Sequence, residues 1–311
     1  MRDARRFLES IDLPPGDLHE LPDSPKRFAD GARYRIEIPS CEGPRCLEAL
    51  LESAARLDVR VHRASQGSGV FMLTDAELAE MASMARDAIV EISLFARPNA
   101  AWDTSAMARS PAGGAVAAAS RGQEQIVQGL ADARRAADAG VRSVLIADVG
   151  LLDVFAEARR RGFLPADMQA KISVMLPVSN PATARALVTL GADTLNLTTD
   201  LTLAQIAAIR AVVDCPLDIY VEVPDNVGGF VRLHEIPEIV RVAAPVYLKF
   251  GLRNAPDVYP AGTHLEATTV ALTRERVRRA RLGLELLARE WGDCETSELG
   301  ARGLALVQAP A

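Results

Sequence analysis

Two runs in the second half of the chain alternate apolar and polar residues without a break. Leu217, Ile219, Val221 and Val223 share one side of the first run, and Asp218, Tyr220 and Glu222 share the other. In the second, Val246, Leu248 and Phe250 oppose Tyr247, Lys249 and Gly251. A side-chain period of two belongs to a β-strand, so each run predicts a strand with one aliphatic face and one polar, charged face. Residues 236–242 between them carry a helical pattern, which makes the pair a βαβ unit.

The same rhythm runs back through the chain. Strands are predicted over Tyr34–Ile38, Val59–Arg63, Ile89–Phe95, Val141–Ala147, Ala170–Leu176 and Thr194–Leu197. The helices between them run over Gly43–Leu57, Thr74–Asp87, Gly122–Ala139, Leu151–Arg161, Pro181–Gly191 and Leu203–Val213, with a last one over Thr273–Glu290. Thr74 followed by Glu77 has the spacing of a capping box, and Pro181 suits a first helical turn. Eight strand–helix pairs predict a single (β/α)8 barrel over residues 33–292, with a Pro-rich arm at 1–32 and a flexible tail at 293–311. A doubly wound open sheet is the alternative, and no Gly-rich dinucleotide fingerprint follows any strand to support it. The connection 96–120, with Gly113-Gly114 and an Ala-rich run, is long for a barrel loop and predicts a mobile lid.

Composition narrows the function. The chain has 311 residues, 49% of them hydrophobic, and a net charge of −6. That charge disfavours nucleic acid or an anionic membrane as partner. No apolar run reaches the roughly 18 residues of a membrane span, and Met1–Ser10 is too polar for a signal-peptide core. A cytoplasmic protein acting on a small molecule is expected, with a homodimer as the base-rate assembly. The four cysteines, Cys41, Cys46, Cys215 and Cys294, show no CxxC spacing, so no iron–sulfur cluster or structural zinc is expected.

If the aliphatic faces meet the helices, the barrel interior receives Arg35, Glu37, Arg60, His62, Glu91, Ser93, Lys171, Ser173, Asn196, Thr198, Asp218, Tyr220, Glu222, Tyr247 and Lys249. Barrel interiors are ordinarily aliphatic. So many ionisable groups must either neutralise one another or serve a ligand, because each unpaired buried ion costs several kcal/mol. Barrel active sites open at the C-terminal ends of the strands. That criterion nominates Glu222, Lys249, Asp148 and His264 as catalytic groups. It nominates Arg63, Gln66, Arg97, Glu91, Asn196, Tyr220, Arg253 and the glycines Gly228 and Gly229 as substrate-binding groups.

Three chemistries fit. In proton transfer beside a carbonyl, or carbon–carbon cleavage, Lys249 or Glu222 would act as acid or base, and Arg63 or Arg97 would clamp a carboxylate with a planar guanidinium fork. The outcome would be that of a lyase or isomerase. A divalent ion (Mg, Mn or Zn) could instead be held by His62, Glu37, Glu91 and Glu222, although no HxH or HExxH spacing is present. Hydrolysis through a Ser or Cys nucleophile lacks its GxSxG elbow. Gly228 and Gly229 could bind phosphate after the seventh strand, or could simply make a turn.

The middle of the chain resembles peptidase family U32. The resemblance rests on Val144-Leu-Ile-Ala-Asp-Val-Gly150, on Lys171-Ile-Ser-Val-Met175 with Asn180, and on Leu195-Asn-Leu-Thr-Thr-Asp-Leu-Thr-Leu-Ala-Gln-Ile206. It implies a TIM-barrel-like fold. For activity it implies a peptidase or amidase, hydrolysing through a metal-activated water; other family members are RNA- or quinone-hydroxylation factors with cysteine-bound clusters. Glu222 has a counterpart in the family, but Pro224-Asp-Asn-Val-Gly-Gly229 replaces the family's His-Gly-Ala-x-Cys element. A ligand-binding barrel without catalysis is the remaining reading.

Overall fold

The computed structural model describes residues 2–98 and 118–310. Eight parallel strands close into one barrel in sequence order. They are β1 (Tyr34–Pro39), β2 (Arg63–Ser65), β3 (Glu91–Phe95), β4 (Ser143–Ile146), β5 (Gln169–Ile172), β6 (Thr194–Asn196), β7 (Leu217–Glu222) and β8 (Val246–Phe250). β8 closes on β1 with Arg35 opposite Tyr247 and Glu37 opposite Lys249. The lid expected over 96–120 falls for the most part on 99–117, outside the described residues.

The aliphatic faces point where the alternation places them. Ile36, Ile38, Ile92, Val144, Ile172, Leu195, Leu217, Ile219, Leu248 and Phe250 are all buried in one cluster with the inner faces of the helices. A parallel sheet covered by helices has no wet face, which is why β1, β3, β7 and β8 are buried along their whole length. The helix Asp75–Asp87 starts at Thr74 with the full capping box, and Pro181–Thr189 starts at Asn180.

The alternation fails at two places. On the second segment the strand begins at Arg63, so Arg63 and Ser65 face inward in register with Glu37 and Glu91. Arg60 and His62, expected inside, lie instead at the bottom edge, where both hydrogen-bond the carbonyl of Ser297. On β7 the register slips between Tyr220 and Glu222, a bulge that adds one residue and turns Glu222 out of the interior.

Both chain ends close the N-terminal side of the barrel. Phe28 of the arm packs edge-on to Tyr247, ring centroids 5.5 Å apart, and lies under the Arg35 guanidinium. The stretch after Trp291, expected to be loose, runs across this end. Thr296 bridges to Tyr34 and Leu306 to Glu91, and Gln308 donates its N–H to Gly140. The reason is polar: Ser297 Oγ and the Arg302 carbonyl accept from Arg35, and the Ala305 N–H donates to Glu91. Charged strand ends at the bottom of the barrel need partners, and the tail's backbone supplies them. Among the described residues no helix is long and apolar enough to cross a membrane.

Candidate active site

Seen around the barrel, one inner layer reads Tyr220, Lys249, Glu37, Arg63, Glu91, each the ladder neighbour of the next. Asp218 and Lys171 reach into it from β7 and β5. The Arg63 guanidinium donates to Glu91 (2.6 Å), Glu37 (3.1 Å) and Asp218 (3.2 Å), and its central carbon lies 3.6 Å from the centroid of the Tyr247 ring. Lys171 pairs with Glu37 at 3.1 Å and with Asp218. Lys249 pairs with Glu37 at 3.2 Å, and Ser65 donates to the same carboxylate at 2.7 Å. Three carboxylates (Glu37, Glu91, Asp218) thus face three cations (Arg63, Lys171, Lys249), all buried. The inward positions did need to neutralise one another, and they do.

Burial pushes the Glu37 carboxyl up, but Lys171, Lys249 and Arg63 together hold it well below the usual carboxylate range. For Lys171 the balance tips the other way: desolvation lowers its ammonium despite Asp218 and Glu37. Burial alone would lower the Arg63 guanidinium, yet Glu91, Tyr247, Asp218 and Glu37 raise it well above its ordinary value.

Above this layer, at the C-terminal ends of the strands, lies a cavity of about 530 Å³. Its polar wall includes Ser65, Asn196, Tyr220 and Lys249 from the strands, with Gln66, Arg97 and Tyr259 from the loops. Phe95, Leu145 and Ala118 form an apolar cluster in the lining, with Met175 against it. Lys249 Nζ sits 4.3 Å above the Tyr220 ring. With its amide oriented to satisfy both ends, Asn196 accepts from Lys249 Nζ at 2.8 Å and donates to the Asp218 carbonyl at 3.1 Å. Gln66 braces the turn below Arg97 through both Gly69 backbone groups. Arg97 donates to the Gly67 carbonyl at 2.8 Å, and burial lowers its guanidinium to about 10.

Of the residues nominated from sequence, Lys249, Asn196, Tyr220, Gln66 and Arg97 converge on this cavity. Arg63, Glu91 and Glu37 do not line it. They lie one layer beneath, consumed by one another, so Arg63 is no substrate clamp. Glu222 turns toward the last helix, accepting from the Arg253 N–H at 3.1 Å and facing Arg279 at 3.7 Å. Asp148 is a helix cap: its carboxylate accepts from the N–H groups of Leu151 and Ser120. His264 is exposed beside the start of the last helix, and Arg253 is half-exposed near Asp225.

Gly228 and Gly229 form a turn, with φ of +126° and +66°, and their N–H groups point back to Asp225 and Pro224 rather than to a ligand. A Cβ on Gly229 would come 2.9 Å from Asp225 Oδ1, so the glycine serves the turn. His62 accepts from the Ile36 N–H and contacts the Ser297 carbonyl, and burial lowers it to about 4. It meets the tail at the closed end while Glu222 turns toward the last helix, so the four nominated metal ligands do not meet. Among the described residues no three His, Cys, Asp or Glu are grouped as metal ligands.

The strand pattern missed the loop contributions. Ser40 and Tyr259 join through their hydroxyls across the cavity wall, and Ser173 and Asn226 complete it. Ser173 is the one of these that the alternation already places inside, two residues after Lys171. The others follow from loop paths that have no period.

Among solved structures, a U32 peptidase is 19% identical over 64% of this chain and 72% of its own, with a TM-score of 0.39. The truncated 3-deoxy-D-arabino-heptulosonate 7-phosphate synthase of Thermotoga maritima is 12% identical over 86% and 94%, at 0.46. An oxaloacetate acetylhydrolase in complex with oxalate is 12% identical over 85% of each chain, at 0.44. At such identities and scores the likeness carries no chemistry. A search of the curated proteins found no match. The model of peptidase family U32 matches residues 118–223, the segment that carries β4 to β7 and contains all the motifs of the resemblance. The chain is a TIM-barrel protein similar to peptidase family U32 over that segment.

Proposed function

We propose that the protein is an enzyme that binds a small anionic carbonyl compound in the C-terminal cavity and moves a proton beside the carbonyl, with a lyase or isomerase outcome. The observation that carries this reading is Lys249: a buried amine on the cavity floor, fixed by Glu37 and Asn196. Two of its N–H directions are taken by those partners. The cavity lies on its remaining side, where the amine can donate to an oxygen on which charge develops as an enolate forms, which is where a preorganised donor accelerates such a reaction. Arg97 on the wall supplies the planar fork that suits the substrate's carboxylate.

The test is proton exchange. Wild-type protein is incubated in D2O with a panel of 2-oxo acids, pyruvate and oxaloacetate included, and loss of the C3 proton signal is followed by NMR. Exchange faster than buffer in the wild type, lost at least about 100-fold in Lys249→Ala, is expected for removal of such a donor. Equal exchange in both proteins would end the assignment. The family match favours one alternative, a hydrolase working on a peptide or amide bond. Stoichiometric zinc or manganese in purified protein, together with release of amine from a peptide substrate, would favour it instead.

A further inference from the structure

Beside the main cavity lies a smaller chamber of about 110 Å³, enclosed by the loops after β7 and β8 and by the last helix, Glu266–Glu290. Ser40, Pro224, Asn226, Asp257 and Tyr259 border both spaces, so the chamber is a side room of the same mouth. Arg276, on the inner face of the last helix, lines it. The residue is only 4% exposed, and its Nε and Nη1 find no hydrogen-bond acceptor among the described residues. Among the described residues, Arg35, Arg63, Arg97, Lys171 and Lys249 each meet carboxylates, carbonyls or aromatic rings.

Glu42, whose carboxyl burial raises, feels the Arg276 charge but makes no hydrogen bond to it among the described residues. Its two oxygens accept from the N–H groups of Gly67 and Ser68, at 2.9 Å each. Asp225 and Asp257 also border the chamber, but both are exposed at its rim. Asp225 takes the Asn254 N–H and faces Arg253, and Asp257 takes the Tyr259 N–H. A buried guanidinium that lines a small chamber and lacks a hydrogen-bond acceptor suits an oxyanion.

We infer that the chamber is an oxyanion-binding subsite in which the Arg276 guanidinium holds a carboxylate or phosphate group. It extends the reading of the main cavity by giving a second anionic group of the bound molecule its place, but Arg276 would bind an oxyanion whether or not Lys249 is catalytic.

The probes are malonate and inorganic phosphate, titrated separately by calorimetry and by thermal unfolding at constant ionic strength. Saturable binding to the wild type is expected, with a melting temperature higher by on the order of 5 °C at a hundredfold excess over Kd. Arg276→Met should lose that gain. It should also melt at or above the wild-type temperature without anion, because the substitution removes a buried guanidinium whose Nε and Nη1 have no hydrogen-bond acceptor among the described residues. Saturation by malonate but not phosphate assigns a carboxylate, and the reverse assigns a phosphate. Lys249→Ala should keep the binding, which separates this inference from the catalytic one.

If Arg276→Met does not fold, the inference fails on that point, since a structural partner for Arg276 would then exist. Arg276→Lys, which keeps the charge but not the fork, should bind the probe at least about 10-fold more weakly. No saturable binding of either probe to the wild type, or equal melting shifts in wild type and Arg276→Met, would overturn the subsite.

Discussion

Replacing Glu37 by Gln probes the charge layer on which the cavity floor rests. The carboxylate meets Arg63 at 3.1 Å, Lys171 at 3.1 Å and Lys249 at 3.2 Å. At an effective dielectric near 20, one such contact is worth about 5 kcal/mol before desolvation. Most of that gain is offset by the cost of burying the ions, and removing one partner of a buried pair nets about 3–5 kcal/mol of destabilisation. The substitution leaves Arg63, Lys171 and Lys249 facing only Glu91 and Asp218. Against a usual total of about 5–15 kcal/mol, the loss is large.

Urea unfolding at pH 7, followed by circular dichroism, measures it. The pH dependence gives a second check. The folded-state pKa of Glu37 is depressed, so its contribution is present above the ordinary carboxyl range and is lost as pH falls below it. Glu37→Gln should therefore flatten the acid limb of the stability curve. Lys171 is also depressed in the fold, so its penalty fades as pH rises toward the ordinary lysine value, and the variant should be less handicapped at pH 9 than at pH 7. Adding Lys171→Met restores charge balance and should recover part of the loss. A Glu37→Gln protein within about 1 kcal/mol of wild type at pH 7 would refute the layer's role, because that is the effect of an ordinary substitution.

Two further outcomes follow from the barrel's closed end. His62 is held neutral down to about 4 in the fold but titrates near 6.5 when unfolded, so the unfolded chain binds the extra proton between those values. Stability should fall by roughly 3 kcal/mol as pH drops through that window, at most about 1.4 per pH unit, and His62→Gln should lack the slope in urea titrations. Deleting residues 293–311 removes the partners of Arg35, His62 and Glu91 together. At about 1.5–3 kcal/mol for each hydrogen bond to a charged group, the truncated chain should melt at least about 8 °C lower; a smaller change would make the tail an ornament.

Alternation with a period of two is written in the chain itself. It was enough to give the parallel barrel, the aliphatic outer face and the charged inner one, since a strand's pleat leaves no other placement for Leu217, Ile219, Asp218 and Tyr220. It also gave Lys249, Asn196 and Tyr220 to the cavity. Parity, however, says nothing of depth or of interruptions. Arg63 and Lys249 both face inward, yet Arg63 lies under the floor and Lys249 forms it, a difference set by strand stagger in the closed barrel. The bulge after Tyr220 sent Glu222 to the last helix, and the late start of β2 left His62 at the closed end. Asp148, at a strand end, became a cap because the next helix has N–H groups that need an acceptor. The chamber around Arg276 and the partners of Tyr259 and the tail come from segments distant in sequence, and only the packed chain brings them together.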